Sequence, residues 1–453
     1  MNLLSVYEEV SGKKVNGEKI ALIFSKAVME ATRQIIKGIL GVREIQHYEK
    51  YLELPSLIGK GKKASFNYIK ERVWRKLHGW EGKLLSQAGR EVLIKSVIQA
   101  IPTYAMECFK LPLGLCNEIK VIRKFWWGQH GDKQKIHWQK WDDLTKSKVA
   151  GGMGFRDLAL YNDSLLAKQA WRLLQDRSSL FYEVFKAHFF LNCTIMEAFD
   201  CRNGSYAWKS MLLGHEVINQ GTCWRIGDGH SAKIWQHTWL PIKHPTNVSS
   251  PVLDCLEEVI MDFLIDAQSR IWNTSMIDGL FFQHEAELIK SKSLSRHSTK
   301  DALYWPWTQN GKHSCKFGYR FLKDEFDRVG DSKAQACEGS FSKSIWALRI
   351  PNKTRNYIWR ACHNSIPTKD NLMRCHITDN VLCECCSSEV ESPIHALWSY
   401  RELDMVWSSL GEWRFCLNTS FLNFKELLHW ILKNHANPEL FAMIVWGIWH
   451  QRS

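Results

Sequence analysis

Two cysteines and a histidine in the last quarter of the chain have the types and spacing that metal sites use. Cys383 and Cys386 stand three positions apart, His395 follows nine positions later, and Tyr400 comes five positions after the histidine. A closed structural zinc site takes four nitrogen or sulfur ligands in a tetrahedron. The pattern therefore predicts either a zinc site with a weak fourth position or simply reduced, partly buried thiols.

The residue in the fourth position of this pattern is the difficulty. Tyr400 offers a phenol with an unperturbed pKa of about 10, which is a poor replacement for a thiolate. Cys385 and Cys375 could substitute. We predict that Cys385 points away if the Cys-x2-Cys turn keeps its usual form, which leaves Cys375 as the better substitute and His376 as a weaker one. We therefore expect zinc as the cofactor, bound at less than one equivalent per chain.

The positive charge of the chain is concentrated in its first third. The 453 residues carry a net charge of +13, and residues 1–150 hold 27 Lys and Arg against 15 Asp and Glu, whereas the remainder holds 33 against 32. Lys and Arg side chains that face phosphates release condensed counterions and give affinity that does not depend on sequence. RNA or DNA is the expected partner, or else this is a solubilising basic surface; no small-molecule substrate is evident.

Length and composition limit the protein class. A chain of this length predicts two to four domains, and 45% hydrophobic with 24% charged residues is ordinary for globular proteins. The N-terminus lacks a signal-peptide pattern, and the apolar run from Leu440 is too short to cross a bilayer. We therefore expect no membrane association, an intracellular location in nucleus or cytoplasm, and reduced cysteines among the 14 present.

Helices are predicted to present the basic residues. One predicted helix has an apolar face made of Phe66, Ile69, Val73, Leu77 and Trp80. A second follows "LSQAGR" with a stripe of Leu93, Val97 and Ile101 and ends at Pro102. A third runs through "LCNEIKVIRKFWWG", so the three would form a basic bundle.

The middle of the chain reads as turns, short strands and a connector. "GGMGFRDL" lacks the Gly-Lys-Ser/Thr of a phosphate loop and predicts a turn before a helix. Gly227-Asp228-Gly229 predicts a β-hairpin, and "QNGK" at 309–312 predicts a second strand pair. Residues 243–299 show no clear period and predict a loosely packed connector.

Several blocks, in this order along the chain, resemble the plant lineage of LINE-type (non-LTR) retrotransposon polyproteins. They are "EKYLELPSLIGKGKK", "VWRKLHGWEGKLLSQAGREVLIKSVIQAIPTYAMECFKLP", "FWWG", "GGMGFRDL", "WRIGDGHSAKIW", "TWLP", "IWALRIPNKTRNYIWRACHNSIPTKDNL" and the Cys/His cluster. In such proteins an endonuclease, a reverse transcriptase, a zinc-binding module and often an RNase H-like domain follow one another. The family's zinc module resembles Cys-x2-Cys, then His, then Cys five positions later, where this chain has Tyr400.

The resemblance implies an α+β, mainly helical fold with several parts. They are the end of the reverse-transcriptase palm with a primer-grip-like hairpin (1–60), a helical basic thumb-like region (61–150), a helix plus β-hairpin region (151–242), the connector (243–299), a zinc-binding-like domain (300–410) and a C-terminal helical linker (411–453). Lys19 is similar to the family's lysine near the incoming triphosphate, and "YLELP" to the primer-grip hairpin. Glu53 stands there in place of the usual glycine.

Polymerase chemistry needs paired carboxylates to hold two metal ions, and the family's Tyr/Phe-x-Asp-Asp string does not occur in this chain. Asp142 and Asp143 read instead as helix-start carboxylates. No carboxylate quartet for RNase H can be assembled, and no catalytic residue is assigned. We expect no primer extension by this chain with magnesium and dNTPs.

Three functions remain open at the level of sequence. The chain could be a reverse-transcriptase fragment with residual nucleic-acid binding, an RNA-directed DNA polymerase if an upstream palm is supplied, or a non-functional transposon relic. Binding is predicted for the basic helices, with Tyr51 and Trp74 as stacking partners. The basic candidates are Arg72, Arg75, Lys76, Lys83, Arg90 and Lys95.

Overall fold

The structure, a computed structural model, describes most of the chain. The residues outside its description are 1, 13, 15–21, 23, 25–27, 43, 45–49, 56–57, 60, 82, 130–134, 201–203, 241–246, 253–255, 267, 295–298, 329–334, 410, 412, 414–418, 435–436 and 453. The described residues form twenty-one α-helices and two two-stranded sheets, so the α+β, mainly helical class is confirmed. None of those helices has both the length and the apolar content needed to cross a bilayer.

The chain divides into two compact units, Met1–Lys70 and Glu71–Ser453. The elements that begin in the first unit are α1 (Asn2–Ser11), α2 (Glu30–Leu40), β1 (Lys50–Tyr51), β2 (Leu54–Pro55), α3 (Lys62–Ser65) and α4 (Asn67–Glu81). Strands β1 and β2 pair antiparallel, so a hairpin does occupy "YLELP". Its two turn residues, Leu52 and Glu53, have φ of 50° and 65°, a region that favours glycine or asparagine. A glutamate at this turn therefore strains the backbone.

The apolar face predicted around α4 is confirmed. Phe66, Ile69, Val73 and Leu77 are buried and Trp80 is half-buried. The helices that follow are α5 (Gln87–Ser96), α6 (Thr103–Cys108), α7 (Leu113–Ile119), α8 (Ile122–Trp126) and α9 (Trp141–Thr145). Asp142 and Asp143 lie in the first turn of α9, as expected of helix-start carboxylates.

The second predicted helix is wrong in its length and in its buried face. The Ser86 hydroxyl accepts a hydrogen bond from Gly89 N at 3.2 Å and so fixes the start of α5. The helix ends at Ser96 and the chain tightens into a 3₁₀ turn, so Ala88, Glu91 and Ile94 are its buried residues. Leu93, Val97 and Ile101 are only half-buried.

"GGMGFRDL" is a turn before a helix, as predicted. The helices after it are α10 (Leu158–Gln175), α11 (Leu180–Phe189) and α12 (Tyr206–Gly221). The Asp157 carboxylate caps α10 by accepting from Ala159 N at 2.8 Å. At Gly214, α12 approaches α10 so closely that a Cβ would lie 2.3 Å from the carbonyl carbon of Leu166. A core of α10, α11 and α12 side chains around Trp208 results.

The hairpin predicted at Gly227–Gly229 is wrong. Strand β3 (Cys223–Arg225) pairs antiparallel with β4 (Ala302–Tyr304), far along the chain. The Asp301 carboxylate accepts hydrogen bonds from four backbone N–H groups of the glycine-rich turn at 2.6 to 3.0 Å. These bonds lower the pKa of Asp301 although burial acts in the opposite direction. The strand pair predicted around "QNGK" does not form either, because β4 pairs with β3. After β4 the chain makes a turn, in which Trp305 N donates to Gly311 O at 2.7 Å.

The described residues of the segment 243–299 are packed rather than loose. It contains α13 (Thr274–Leu280) and α14 (Gln283–Ser291). Trp272, Ile277 and Ile289 are buried in one core with Trp235 and Trp239. The segment has no single period because its buried residues come from short turns and helices, not from one long element.

The C-terminal region has a core rich in aromatic residues. Its helices are α15 (Cys315–Arg328), α16 (Gln335–Ala347), α17 (Asn352–Cys362), α18 (Lys369–Arg374), α19 (Asp404–Ser409), α20 (Phe424–Lys433) and α21 (Pro438–Arg452). Trp407 is fully buried, with its ring centroid 4.9 Å from that of Trp398 and 5.6 Å from that of Phe441. Helices α20 and α21, expected as a linker, contribute side chains to this same core.

Candidate metal centre and nucleic-acid interface

A tight turn and a π-helix bring the predicted metal ligands together. Cys383 N donates to Glu389 O at 2.9 Å, and Ser387 N donates to Cys383 O at 2.8 Å, which folds the Cys-x2-Cys stretch back on itself. His395 begins a one-turn π-helix, His395–Ser399, that follows this turn. Such single π turns occur frequently at functional sites.

The ligand atoms of the three side chains lie close enough together to hold one metal ion. The ligand atoms of Cys383, Cys386 and His395 all lie within 4.8 Å of one another, and Cys386 Sγ is 3.5 Å from His395 Nε2. Zn–S bonds of about 2.3 Å and Zn–N bonds of about 2.0 Å at tetrahedral angles place sulfur and nitrogen about 3.5 Å apart. The donor set and its spacing therefore fit zinc. We refer to these three residues as the cysteine–histidine cluster.

Neighbouring polar groups favour the thiolate form of Cys386 and flank the ring of His395. Hydrogen bonds from the Ser388 side chain, and from the backbone of Ser388 and Glu389, lower the pKa of the Cys386 thiol to about 6. The carboxylate of Glu389 lies 2.9 Å from His395 Nδ1, the partner arrangement that orients ligating histidines. Together they present a thiolate and an oriented imidazole to the same point.

An arginine from the last helix stands beside the first cysteine. Arg452 Nη2 lies 2.8 Å from Cys383 Sγ, and the same group is 3.7 Å from the Glu391 carboxylate. Arg452 also lies over the Tyr400 ring, 5.4 Å from its centroid. Sequence reasoning missed Arg452 because it is 69 positions from Cys383 and nothing local marks it.

Tyr400, the fourth residue of the sequence pattern, lies beside the cluster and is a weak donor. The Tyr400 ring meets the His395 ring edge-on at 5.9 Å between centroids. Burial, the Glu402 side chain and nearby cysteines raise the pKa of Tyr400 to about 12, so its phenol keeps its proton at neutral pH. Cys385 and Cys375, the two substitutes predicted from the sequence, are both exposed, and neither belongs to the cluster.

Basic side chains predicted to bind nucleic acid form an exposed row on α4. Arg72, Arg75 and Lys76 are exposed on the helix, and Lys83 is exposed in the turn after it. The spacing of three and four positions places Arg72, Arg75 and Lys76 along one side of α4, with Arg75 opposite the buried apolar face and Lys76 at the edge of that face. We call these four residues the basic face of α4. Trp74, a predicted stacking partner, is 38% exposed on the same helix.

The two candidates on α5 have different surroundings from those on α4. The Lys95 ammonium donates to Glu91 Oε1 at 2.6 Å and to Met153 O at 2.7 Å, so it is engaged within the fold. Arg90 is half-buried. Lys19 and the side chain of Tyr51 lie outside the described residues.

Comparison with known proteins finds a zinc-binding family in the region of the chain that contains the cluster. Residues 314–407 match the family described as "zinc-binding in reverse transcriptase". A protein of Arabidopsis thaliana named "Putative ribonuclease H protein" is 27% identical over 417 residues, which are 88% of this chain. This chain spans 65% of that relative's length. An "Uncharacterized mitochondrial protein" of the same plant is 38% identical over 148 residues, 32% of this chain and 96% of that protein.

The matched region contains all three members of the cysteine–histidine cluster. The resemblance of the whole chain extends far beyond that region, through the basic helices and the middle cores. The chain therefore belongs to the retrotransposon reverse-transcriptase family and corresponds to a C-terminal region of such a protein that includes its zinc-binding part.

Proposed function

We propose that this chain is the part of a LINE-type, non-LTR reverse transcriptase that holds RNA or DNA through its basic helical region. The observation that supports it is the basic face of α4, where three cationic side chains on the helix and a fourth in the turn after it are exposed, while the apolar side of the helix is buried. A row at this spacing follows a phosphate backbone without reading its bases. The proposed binding is accordingly weak in sequence preference and strongly dependent on salt.

The second part of the proposal concerns the metal. Cys383, Cys386 and His395 hold a zinc ion whose role is structural, since it would join the Cys-x2-Cys turn to the π-helix that begins at His395. The fit of the sulfur–nitrogen distance to a tetrahedral site supports it. Because the Tyr400 phenol keeps its proton, this site binds zinc less tightly than a site with four strong ligands.

A second candidate function is RNA-directed DNA polymerisation in a protein that supplies the catalytic palm. The match to the zinc-binding region of reverse transcriptases supports it. In that assembly this chain would contribute template and primer binding, and the metal-binding carboxylates would come from the palm.

Nucleic-acid binding is tested by fluorescence anisotropy of labelled single-stranded RNA and duplex DNA with the full chain. If the four members of the basic face each contact a phosphate, affinity for duplex DNA falls by about 100-fold between about 50 and about 200 mM salt, because the slope of log K against log salt is about −0.9 for each contact. Binding that is absent at low salt, or that does not change with salt, would contradict the proposal.

A further inference from the structure

A pocket of about 630 Å³, open to solvent on one side, lies between α5, the tryptophans at and after the end of α8, and α17. Its wall comes from segments more than two hundred positions apart in the chain. The side chains that matter here are Arg90, Trp127, Lys135, Trp138 and Arg360. We call it the guanidinium cavity. Its volume lies within the range of about 300–1,000 Å³ typical of small-molecule sites and can admit a nucleotide.

Arg360 is fixed in the wall by neutral partners. Its Nε donates to Ser365 O at 2.8 Å and its Nη1 donates to Gln87 Oε1 at 3.3 Å. The guanidinium also lies 5.8 Å from the centroid of the Trp127 ring. Burial lowers the pKa of Arg360 to about 10, so it stays charged at neutral pH. The remaining Nη2 has no hydrogen bond to another described residue.

Arg90 reaches the same cavity from α5. Its Nη1 lies against Gly128, where an added Cβ would be only 2.4 Å away and where φ is +77°. The glycine therefore leaves the space that the guanidinium occupies. Burial lowers the pKa of Arg90, and Lys135 adds a third positive charge at the exposed side of the wall.

These charges lack counterions within the described part of the chain. The nearest acidic residue in sequence, Glu91, is engaged with Lys95 at 2.6 Å and with Lys148 at 2.9 Å. No described carboxylate forms an ion pair with Arg90 or Arg360, and none lines the cavity. Removing two guanidinium groups from water without a paired anion is unfavourable. An anion with several acceptor oxygens would offset that cost and use the free N–H groups.

The tryptophan rings in the wall indicate that the anion is attached to an aromatic group. Trp127 and Trp138 line the cavity, and Trp127 Nε1 is a buried donor without an acceptor in the described structure. Indole rings stack with nucleobases, and each stacked base contributes about 1–3 kcal/mol. A base is free to enter such a cavity only when it is not paired in a duplex.

We propose that the guanidinium cavity binds one nucleotide unit of a single-stranded nucleic acid, with its phosphodiester between Arg90 and Arg360 and its base against the tryptophan rings. This inference rests on the proposed nucleic-acid binding and adds a second contact, in a pocket, to it. The basic face of α4 holds the backbone from outside, and the cavity selects single strands over duplexes.

The first test compares variants of the full chain by anisotropy with a labelled oligouridylate at several salt concentrations. Arg90→Gln is expected to weaken binding several-fold and to reduce the magnitude of the salt slope by about 0.7, the value for one phosphate contact of a single strand. Arg349→Gln, the same change at an exposed arginine, is the matched control and should leave both quantities unchanged. Because Arg360 also supports the fold through Ser365 and Gln87, it is tested only as Arg360→Lys, which keeps the charge.

The second test is photocross-linking of the same oligonucleotide with 4-thiouridine incorporated, followed by mass spectrometry of the linked peptides. Links at residues 126–128 or 135–138 that decrease in Arg90→Gln support the inference. Strong binding with links confined to α4 and an unaffected Arg90→Gln variant would overturn the cavity while leaving the proposed function intact. Absence of any binding of the oligonucleotide at low salt would contradict both the nucleotide site in the cavity and the proposed function.

Free nucleotides are the other source of a phosphate. Calorimetry with uridine monophosphate and with inorganic phosphate distinguishes them from a strand. If uridine monophosphate binds in an Arg90-dependent way while the oligonucleotide does not bind, the cavity is a site for free nucleotides and the inference is overturned. Tighter, Arg90-dependent binding of the oligonucleotide is the expected result.

Discussion

The basic face of α4 and the cysteine–histidine cluster handle charge in opposite ways. On α4, Arg75 and Lys76 are exposed to solvent, on a helix whose buried side is entirely apolar. In the cluster, the Cys383 sulfur is next to Arg452 and the His395 ring is next to Glu389, above a core of packed tryptophans. Charged groups in the first region are exposed to solvent, whereas those in the second lie beside groups of the fold. Substitutions should therefore reduce binding in the first and stability in the second.

The largest loss of stability is expected from removing a buried tryptophan of the C-terminal core. Trp407→Ala should lower the free energy of unfolding of the C-terminal region by about 3–5 kcal/mol, since the ring is fully buried among Trp398, Trp413 and Phe441. Hydrogen exchange of the amides of α20 and α21 measures this locally.

Trp74→Ala on α4 is the matched control for that substitution. Its ring is 38% exposed, so the unfolding free energy should change by only about 0.5 kcal/mol. Equal losses of stability at Trp407 and Trp74 would show that the two regions do not differ as described.

The next effect in size concerns binding. Changing all four members of the basic face, Arg72, Arg75, Lys76 and Lys83, to Gln should weaken duplex DNA binding by about 100-fold at low salt and reduce the salt slope by about 3.6, because each lost contact contributes about 0.9. Exposed substitutions of this kind change stability little. Anisotropy and urea unfolding of the same sample measure both. A variant that unfolds at lower urea concentration but binds DNA as before would show that the basic face serves stability and not binding.

A smaller effect is expected at Arg452. Arg452→Gln removes a charged hydrogen bond to Cys383 and should lower the unfolding free energy by about 1–2 kcal/mol in zinc-free protein. Urea unfolding in the presence of a chelator measures it, with Arg401→Gln, an exposed arginine nearby, as the control. Equal behaviour of the two variants would mean that Arg452 does not compensate the cysteine.

The sequence predicts those features whose residues are close together along the chain. The three cluster residues fall within thirteen positions, and the apolar face of α4 follows one helical period. Both predictions required only local geometry. The hairpin at "YLELP" is local as well, and it forms even though Glu53 has to adopt a positive φ.

Features that depend on distant partners could not be predicted in this way. Strand β3 pairs with β4 about eighty positions away, because Asp301 fills the glycine-rich turn that otherwise suggests a hairpin. Arg452 reaches Cys383 from the last helix. The guanidinium cavity joins Arg90 to Arg360, and no pattern within either helix marks the residue as lining a pocket.

Zinc content before and after Tyr400→Cys tests the central claim about this family member most directly. We predict that the full chain purifies with less than one equivalent of zinc and loses it to EDTA. Tyr400→Cys should restore one chelator-resistant equivalent and raise the affinity by at least about 100-fold, since a complete structural site contributes about 10–16 kcal/mol. Tyr400→Phe is the control and should behave as the unmutated protein. A full EDTA-resistant equivalent in the unmutated chain, or no gain in Tyr400→Cys, would contradict the account.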